Sequence, residues 1–347
     1  MKLIHTADLH LRKGEEKKLD ILRWLVQKSN ELKADAFIIA GDLFDSDTDA
    51  TILRPIVKGI FNGSKARFLL INGNHDQKSY SPDYDYGKNA IQFVQKPFEL
   101  HEFEGTRICG IPYQDAKFSD CIKELPDRID ILISHGTLYD KSYIFSVLDD
   151  DESKYLPIFP ANLENIARYV ALGHMHARNF ETVYKNTKVV YPGSPLPLDT
   201  KCQERRVFYE IEIDKSKITT KPVQVDIAPY WLDKEYIIFP GAENYIWMSI
   251  ETDLKALIDK LVMPYVLLKG FTGITERQLA DRTAKLKADF EGKFIDIRID
   301  CNHIRSWDRI IEDPTVKKFI RKTEGIDREL RMKIFEIVLP VFSDTIE

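Results

Sequence analysis

Five short apolar segments in the N-terminal part of this sequence each end in a polar cluster: LIHTADLH, AFIIAGD, FLLINGNHD, ILISHG and VALGHMH. A single polar residue after a strand is usually a turn former, but five strands with the same ending are not explained by turn chemistry. Ligands of open α/β sheets bind outside the carboxyl ends of the strands. We therefore predict one site from these ends, with the candidate side chains Asp8, His10, Asp42, Asn74, His75, His135, His174 and His176.

The order of predicted elements indicates an α/β core in roughly the first 200 residues. Strand segments alternate there with helical ones such as KKLDILRWLVQKSNELK and DATILRPIVKGIFNG. Continuous apolar strands are typical of sheets that are buried on both faces. RRVFYEIEID and KITTKPVQVDI then alternate like antiparallel strands. The hydrophobic fraction of 44% is enough for a substantial core.

A second, smaller module is predicted after the core. KEYIIFP, NYIWMSIE, YVLLKGF and KFIDIRIDC look like strands around one helix, ERQLADRTAKLKADF, which indicates an α+β module. The C-terminal tail favours two short amphipathic helices. We therefore expect three domains, at residues 1–230, 231–303 and 304–347.

Composition excludes several classes of protein. A chain with a net charge of −5 does not attract nucleic acid through its overall charge, so any DNA contact must come from a local basic patch. The four cysteines form no CxxC pair, which favours a reducing compartment. The N-terminus does not resemble a signal peptide, and no apolar run approaches the ~20 residues of a membrane helix. We expect a cytoplasmic protein without a membrane segment.

The donor types predict two metal ions. Leaving His75 aside, seven carboxylate, amide and imidazole side chains are too many for one tetrahedral zinc site. They suit two neighbouring ions that share one carboxylate. If the loops are extended, Asp8 and His10 face the same way, and so do His174 and His176. A mixed oxygen and nitrogen donor set without thiolate suits Mn²⁺, with Fe or Zn less favoured.

In this order, D-x-H, GD, GNHD, H and GHMH resemble the motifs of the calcineurin-like metallophosphoesterase superfamily, over roughly residues 1–200. MKLIHTADLHL, GDLFD and YPGSP are similar to one branch, the SbcD-type nucleases of DNA double-strand-break repair. This resemblance implies a two-sheet sandwich flanked by helices, a small cap domain that binds DNA and a C-terminal helical segment. It also implies an exonuclease with endonuclease activity that works with an SbcC-type SMC-like ATPase.

The resemblance also implies a role for each candidate side chain. Asp42 would bridge the two ions, His75 would be the acid beside the leaving group, and Asp76 would orient the His75 ring. Asp45 stands where many relatives have histidine, and it is either a helix cap or part of the site. The other six side chains divide between the ions, with Asp8, His10 and His176 on one and Asn74, His135 and His174 on the other.

The substrate is open between DNA and a small molecule, because the superfamily also contains phosphatases and cyclic-nucleotide phosphodiesterases and a shared core does not fix a function. The module after the core favours DNA, and so does the basic stretch TKCQERR. Lys201, Arg205 and Arg206 in that stretch are candidate contacts to DNA phosphates, although a solvated turn would look the same. The alternative is a stand-alone phosphodiesterase for nucleotides or cyclic nucleotides.

Two further surfaces are predicted to bind protein. TILRPIVKGIF carries an apolar band wider than one core-facing stripe needs. The resemblance implies that this band and a helix expected near YGKNAIQFV form a homodimer interface, and the alternative is that these residues only pack on the sheet. In the tail, Asp313 and Pro314 begin a predicted helix. The resemblance implies that the tail docks on the SbcC-type ATPase, with Phe319, Leu330 and Ile337 as the expected anchors. The alternative is that its helices dock only on their own domain.

Overall fold

The computed structural model describes residues 1–141, 155–200, 202–214, 217–258, 261–306, 313–327, 330, 333–335 and 337–338. The chain divides into two compact units, Met1–Tyr230 and Trp231–Glu347. The tail segment 304–347 falls within the second unit. Among the described residues, no helix combines the length and the apolar character that a membrane crossing requires.

The first unit contains two six-stranded sheets. Its strands are β1 (Lys2–Thr6), β2 (Ala36–Ala40), β3 (Arg67–Ile71), β4 (Ala90–Phe93), β5 (Glu99–Phe103), β6 (Thr106–Ile111), β7 (Ile131–His135), β8 (Tyr169–Gly173), β9 (Phe180–Tyr184), β10 (Thr187–Tyr191), β11 (Val207–Ile213) and β12 (Ile218–Gln224). Its helices are α1 (Glu16–Leu32), α2 (Asp47–Phe61), α3 (Phe118–Cys121) and α4 (Pro160–Leu163). The sheet orders are β12-β11-β1-β2-β3-β4 and β5-β6-β7-β8-β10-β9.

Parallel pairing places the predicted site at one end of each sheet. β1, β2 and β3 are parallel neighbours in the first sheet, and β7 and β8 are parallel neighbours in the second. Apolar side chains of both sheets, among them Leu3, Ile38, Ile133 and Ala171, form one buried cluster. The α/β fold of two sheets flanked by helices, predicted from the sequence, is confirmed.

One predicted element of the first unit is wrong. The helix expected near YGKNAIQFV is the strand β4, which pairs in parallel with β3 through partners such as Phe68 and Ala90. The segment Ala90–Phe93 is too short for a stable helix, and in the strand the Phe93 side chain is fully buried. Helix α2 is present as predicted. It buries Leu53 and Val57 and leaves Ile52 and Ile56 more than 40% exposed.

The second unit is a three-stranded sheet with helices. Its elements are β13 (Tyr230–Ile238), α5 (Glu243–Lys255), β14 (Val262–Thr272), α6 (Glu276–Asp289), β15 (Arg298–Ser306) and α7 (Pro314–Thr323), in the sheet order β13-β14-β15. The segment NYIWMSIE, predicted as a strand, lies in helix α5. Its buried residues Ile246, Ile250 and Leu254 recur every four positions, a helical period that a short apolar run does not reveal by itself.

The described part of the tail packs on the core of the second unit. Helix α7 begins as predicted, since the Asp313 carboxylate accepts hydrogen bonds from the backbone N–H of Thr315 and Val316. Val316 and Phe335 are buried in the same cluster as residues of α5 and β14. Phe319 is partly buried, with its ring centroid 5.1 Å from that of Phe335.

Candidate metal centre

The loops after β1 and β2 run side by side. The Asp8 N–H donates to the Gly41 carbonyl at 3.1 Å, and the His10 N–H donates to the Asp42 carbonyl at 3.0 Å. Asp8, His10 and Asp42 have φ angles of 55°, 46° and 47°, in the left-handed region that non-glycine residues seldom occupy. The extended geometry expected for Asp8 and His10 is therefore wrong. Such conformations persist where the surrounding structure holds them, typically at functional sites.

Glycines make room for the donor side chains. A Cβ atom on Gly41 would lie 2.2 Å from the His135 ring, and one on Gly73 would lie 2.0 Å from Asp42 Oδ1. A Cβ on Gly173 would lie 1.9 Å from the carbonyl oxygen of Ala40. The glycines beside the donors therefore permit this packing, because any larger residue would displace a donor or its loop.

The first group of donors surrounds His10 and His176. Their Nε2 atoms are 3.2 Å apart. His10 Nε2 is 3.6 Å from Asp42 Oδ2, and His176 Nε2 is 3.6 Å from Asp8 Oδ1. Asp8, Asp42 and His10 are buried. One donor atom from each of these four residues lies within 4.8 Å of the others, which is compact enough to hold a cation.

A second group adjoins the first through Asp42. Asn74 Oδ1 is 3.0 Å from His135 Nε2 and 3.0 Å from His174 Nδ1. His135 Nε2 is also 3.2 Å from Asp42 Oδ2. The other ring nitrogen, His135 Nδ1, is 2.9 Å from the Ala40 carbonyl. Because a carbonyl only accepts, Nδ1 carries a proton, and Nε2 is the nitrogen whose lone pair would bind a cation once the cation replaces any proton there.

The contacts of the Asp42 carboxylate show whether this site fits two metal ions. Its Oδ1 accepts the backbone N–H of His75 at 3.0 Å. Its Oδ2 is buried and accepts no hydrogen bond from the part of the chain that the structure describes, which is costly unless another group compensates. That oxygen lies between the two donor groups, 3.6 Å from His10 Nε2 and 3.2 Å from His135 Nε2. An oxygen in this position fits a carboxylate that bridges two cations.

The pKa values of the buried donor side chains also favour bound cations. Burial raises the pKa of Asp8 to about 8, with the Asp42 charge adding to the shift and His135 opposing it. Burial would also raise the pKa of Asp42, but the charges of His135 and His10 hold it well below its usual range. Although burial lowers the pKa of His135, Asp42 and Asp8 raise it to about 9. The buried carboxylates therefore require positive charge nearby, which divalent cations supply in place of protons.

His75 stands at the open side of this centre. Its side chain is exposed, and its ring lies at 82° to the His10 ring with centroids 4.6 Å apart. His75 Nδ1 is 3.3 Å from the carbonyl oxygen of Asp45. An exposed imidazole beside buried metal donors is placed where a substrate oxygen can reach it.

Asp76 does not take the position expected for it. Its carboxylate is fully buried and accepts from Gly73 N at 2.8 Å, Phe44 N at 3.2 Å and the Tyr80 hydroxyl at 3.0 Å. Burial raises the pKa of Asp76 to about 7. Asp76 thus ties together the loops that carry Asp42 and Asn74, while the contact expected from Asp76 to the His75 ring is made by the Asp45 carbonyl.

The predicted DNA contacts differ in their surroundings. Arg206 is only 2% exposed, and its guanidinium donates to the carbonyls of Ser194, Ala177 and His176 at 2.8–2.9 Å. It braces the loop of His176 from within, so its predicted contact to phosphate is wrong. Arg205 is exposed, with its guanidinium 5.0 Å from the Tyr230 ring centre. Lys201 lies outside the described residues.

Sequence reasoning missed how YPGSP supports the site. The Ser194 hydroxyl donates to the Asp8 carbonyl at 2.8 Å, and the Ser194 carbonyl accepts from Arg206. A Cβ atom on Gly193 would lie 2.7 Å from the same guanidinium. The sequence feature that could have revealed this support is a buried strand followed by Gly-Ser and then by an arginine-containing stretch.

A two-sheet α/β fold with adjoining histidine and carboxylate donors at its strand ends defines a metal-dependent phosphoesterase. Residues 1–178 match the calcineurin-like phosphoesterase family, and the chain belongs to it. The SbcD component of the nuclease SbcCD of Escherichia coli (strain K12) is 22% identical over an alignment of 357 positions, which covers 81% of this chain and 88% of that protein.

Solved structures are also similar to the chain. A dimetal phosphatase from Danio rerio is 10% identical, with a TM-score of 0.45 over 65% of this chain and 96% of that one. The Escherichia coli phosphoesterase Yfce is 12% identical, with a TM-score of 0.32 over 65% of this chain and all of that one.

Proposed function

We propose that this chain is a DNA nuclease that uses two divalent ions, Mn²⁺ by preference, to hydrolyse phosphodiester bonds at DNA ends. The observation that carries the proposal is the buried Asp42 Oδ2, which accepts no hydrogen bond from the described residues and lies between two groups of donors. Asp42 would be shared by both ions. Asp8, His10 and His176 would hold one ion, and Asn74, His135 and His174 would hold the other.

The chemistry divides between the ions and the protein. A bound pair of divalent ions neutralises the phosphodiester oxygens and activates the attacking water. The protein orients the donors, through the Ala40 carbonyl for His135 and through the Asp42–His75 backbone bond for the GNHD loop. His75 holds a proton for the departing ribose oxygen, which is worth on the order of 10²–10⁴ in rate.

DNA as the substrate is supported by the relative named as part of a nuclease and by the exposed Arg205 after the core. Exonuclease and endonuclease activity, a role in DNA repair and recombination, an SbcC-type ATPase partner and a cytoplasmic location belong to the same proposal. The domain assignment stays part of it too, with residues 1–230 as nuclease, 231–303 as DNA-binding cap and 304–347 as ATPase-binding segment.

A homodimer is part of the proposal as well. Ile52 and Ile56 are 42% and 43% exposed on the outer face of α2, while Leu53 and Val57 fill the core. An exposed apolar face of this kind suits a second copy of the chain. Sedimentation that gave only monomer at micromolar concentration would contradict this part.

A metal-dependent digest tests the substrate. Purified full-length chain with Mn²⁺ should degrade linear DNA, should be inhibited by a chelator and should act weakly on cyclic nucleotides. The Asp42→Asn variant is the matched control for contaminating nucleases, because it removes the negative charge that the bridge requires. Rapid hydrolysis of cyclic nucleotides with intact DNA would reject the nuclease in favour of a small-molecule phosphodiesterase.

A further inference from the structure

Asp45 contacts two histidines that have different tasks in the proposed function. Its Oδ1 atom is 3.2 Å from His10 Nδ1, and its carbonyl oxygen is 3.3 Å from His75 Nδ1. The two rings pack edge to face, with centroids 4.6 Å apart. One residue thus contacts a candidate metal ligand through its side chain and the candidate acid through its backbone.

The side-chain contact determines which nitrogen of His10 carries the proton. An ionised carboxylate accepts hydrogen bonds and cannot donate them, so Nδ1 of His10 must be the protonated nitrogen. In the neutral ring this leaves the lone pair on Nε2. Nε2 is the atom that faces His176 at 3.2 Å and Asp42 at 3.6 Å. The lone pair is therefore directed into the first group of donors.

Neither of the ordinary structural roles accounts for Asp45. The N-cap of α2 is Ser46, whose hydroxyl accepts the Asp49 N–H at 3.1 Å. Asp45 is 3.9 Å from the Arg12 guanidinium, whose side chain is 60% exposed, and a pair so long and so exposed contributes little to stability. The His10 contact is shorter, and the His10 ring is buried.

We propose that Asp45 is a positioning residue that fixes the Nδ1-protonated tautomer of His10 and so sets the affinity of the metal position that His10 serves. The inference rests on the proposed two-ion site. It concerns ion binding and not the identity of the substrate. Asp45 contacts His75 through its backbone carbonyl, and its carboxylate oxygen also lies within 4.8 Å of a His75 ring nitrogen. Ion binding without DNA therefore isolates the effect of the side chain on His10, because that measurement does not involve the acid.

Mn²⁺ binding without DNA tests the proposal. Calorimetry and electron paramagnetic resonance should show that Asp45→Ala lowers the affinity for one of two ions by about 10–100-fold, the usual effect of losing a group that orients a ligand. Asp45→Asn should recover most of that affinity, because its amide oxygen can still accept the Nδ1 proton.

The control variant is Asp20→Ala, which removes a carboxylate from the exposed face of α1 and should bind both ions as the wild type does. Thermal unfolding of each apo variant shows that the fold is retained. Wild-type affinity for both ions in Asp45→Ala would overturn the inference, and so would an Asp45→Asn variant that binds Mn²⁺ no better than Asp45→Ala. Intact DNA with Asp45-dependent ion binding would instead reject only the nuclease function.

Discussion

Replacing His75 by asparagine should lower the kcat for DNA cleavage on the order of 10²–10⁴-fold, the usual contribution of a general acid, and leave the affinity for Mn²⁺ unchanged. The reason lies in how His75 is attached to the site. Its backbone N–H donates to Asp42 Oδ1, and this bond remains when the side chain is replaced. The exposed ring contacts His10 only at its edge, so the donors keep their positions.

The leaving group provides the sharper test of this role. A phosphodiester with a nitrophenolate leaving group needs little protonation, so His75→Asn should lose much less activity on it than on DNA. His101→Asn is the matched control, because His101 is a partly exposed histidine of the first unit that pairs with Glu99. Equal losses on both substrates, or a weaker affinity for Mn²⁺, would show that His75 positions the substrate or the ions.

The donor residues could be predicted from sequence because the chemistry repeats at every strand end. Parallel strands bring their carboxyl ends to one edge, so the order Asp8, Asp42, Asn74, His135, His174 is enough to predict convergence. In the structure the side chains of Asp42, Asn74, His135 and His174 lie within hydrogen-bond distance of one another, and the Asp8 carboxylate accepts the backbone N–H of His174. The backbone geometry differs from the prediction, because Asp8 and His10 adopt left-handed conformations and not the extended one that was expected.

Residues whose role depends on burial could not be assigned in this way. Arg206 and Arg205 are identical neighbours in sequence, yet one is 2% exposed and bonded to three carbonyls while the other faces solvent. Asp76 follows His75 directly, but its carboxylate points into the loops behind the site. A linear sequence gives the type of a side chain and its neighbours, whereas tertiary packing decides which way it faces.

Short apolar runs are the other source of error. NYIWMSIE satisfies a strand pattern locally, and only the further buried residue Leu254 extends the period to that of a helix. AIQF falls in a predicted helix, although Phe93 needs to pack between the sheets. In both segments, the contacts that decide the structure are made with residues far away in sequence.

The second prediction with a large expected effect concerns partner binding by the C-terminal tail. Leu330 and Ile337 are 53% and 73% exposed, and in the helix that the sequence predicts for this segment two residues seven positions apart would share one face. Phe335, which is buried, holds the tail to its own unit. The exposed pair therefore suits a groove on a partner, in the manner of an amphipathic helix that docks through i and i+7 positions.

The double variant Leu330→Asp with Ile337→Asp should abolish co-purification with an SbcC-type ATPase and leave Mn²⁺-dependent cleavage of short single-stranded DNA unchanged. Burying two such side chains is worth roughly 3–6 kcal/mol, so affinity should fall by about 10²–10⁴-fold.

Phe319 is a poorer probe, because it already packs against Phe335, and deletion of the whole tail would also remove Val316 from the core. Phe335→Ala is the contrasting variant, since it should lower the unfolding temperature of the second unit. Retained complex formation by the double variant would place the ATPase contact elsewhere on the chain.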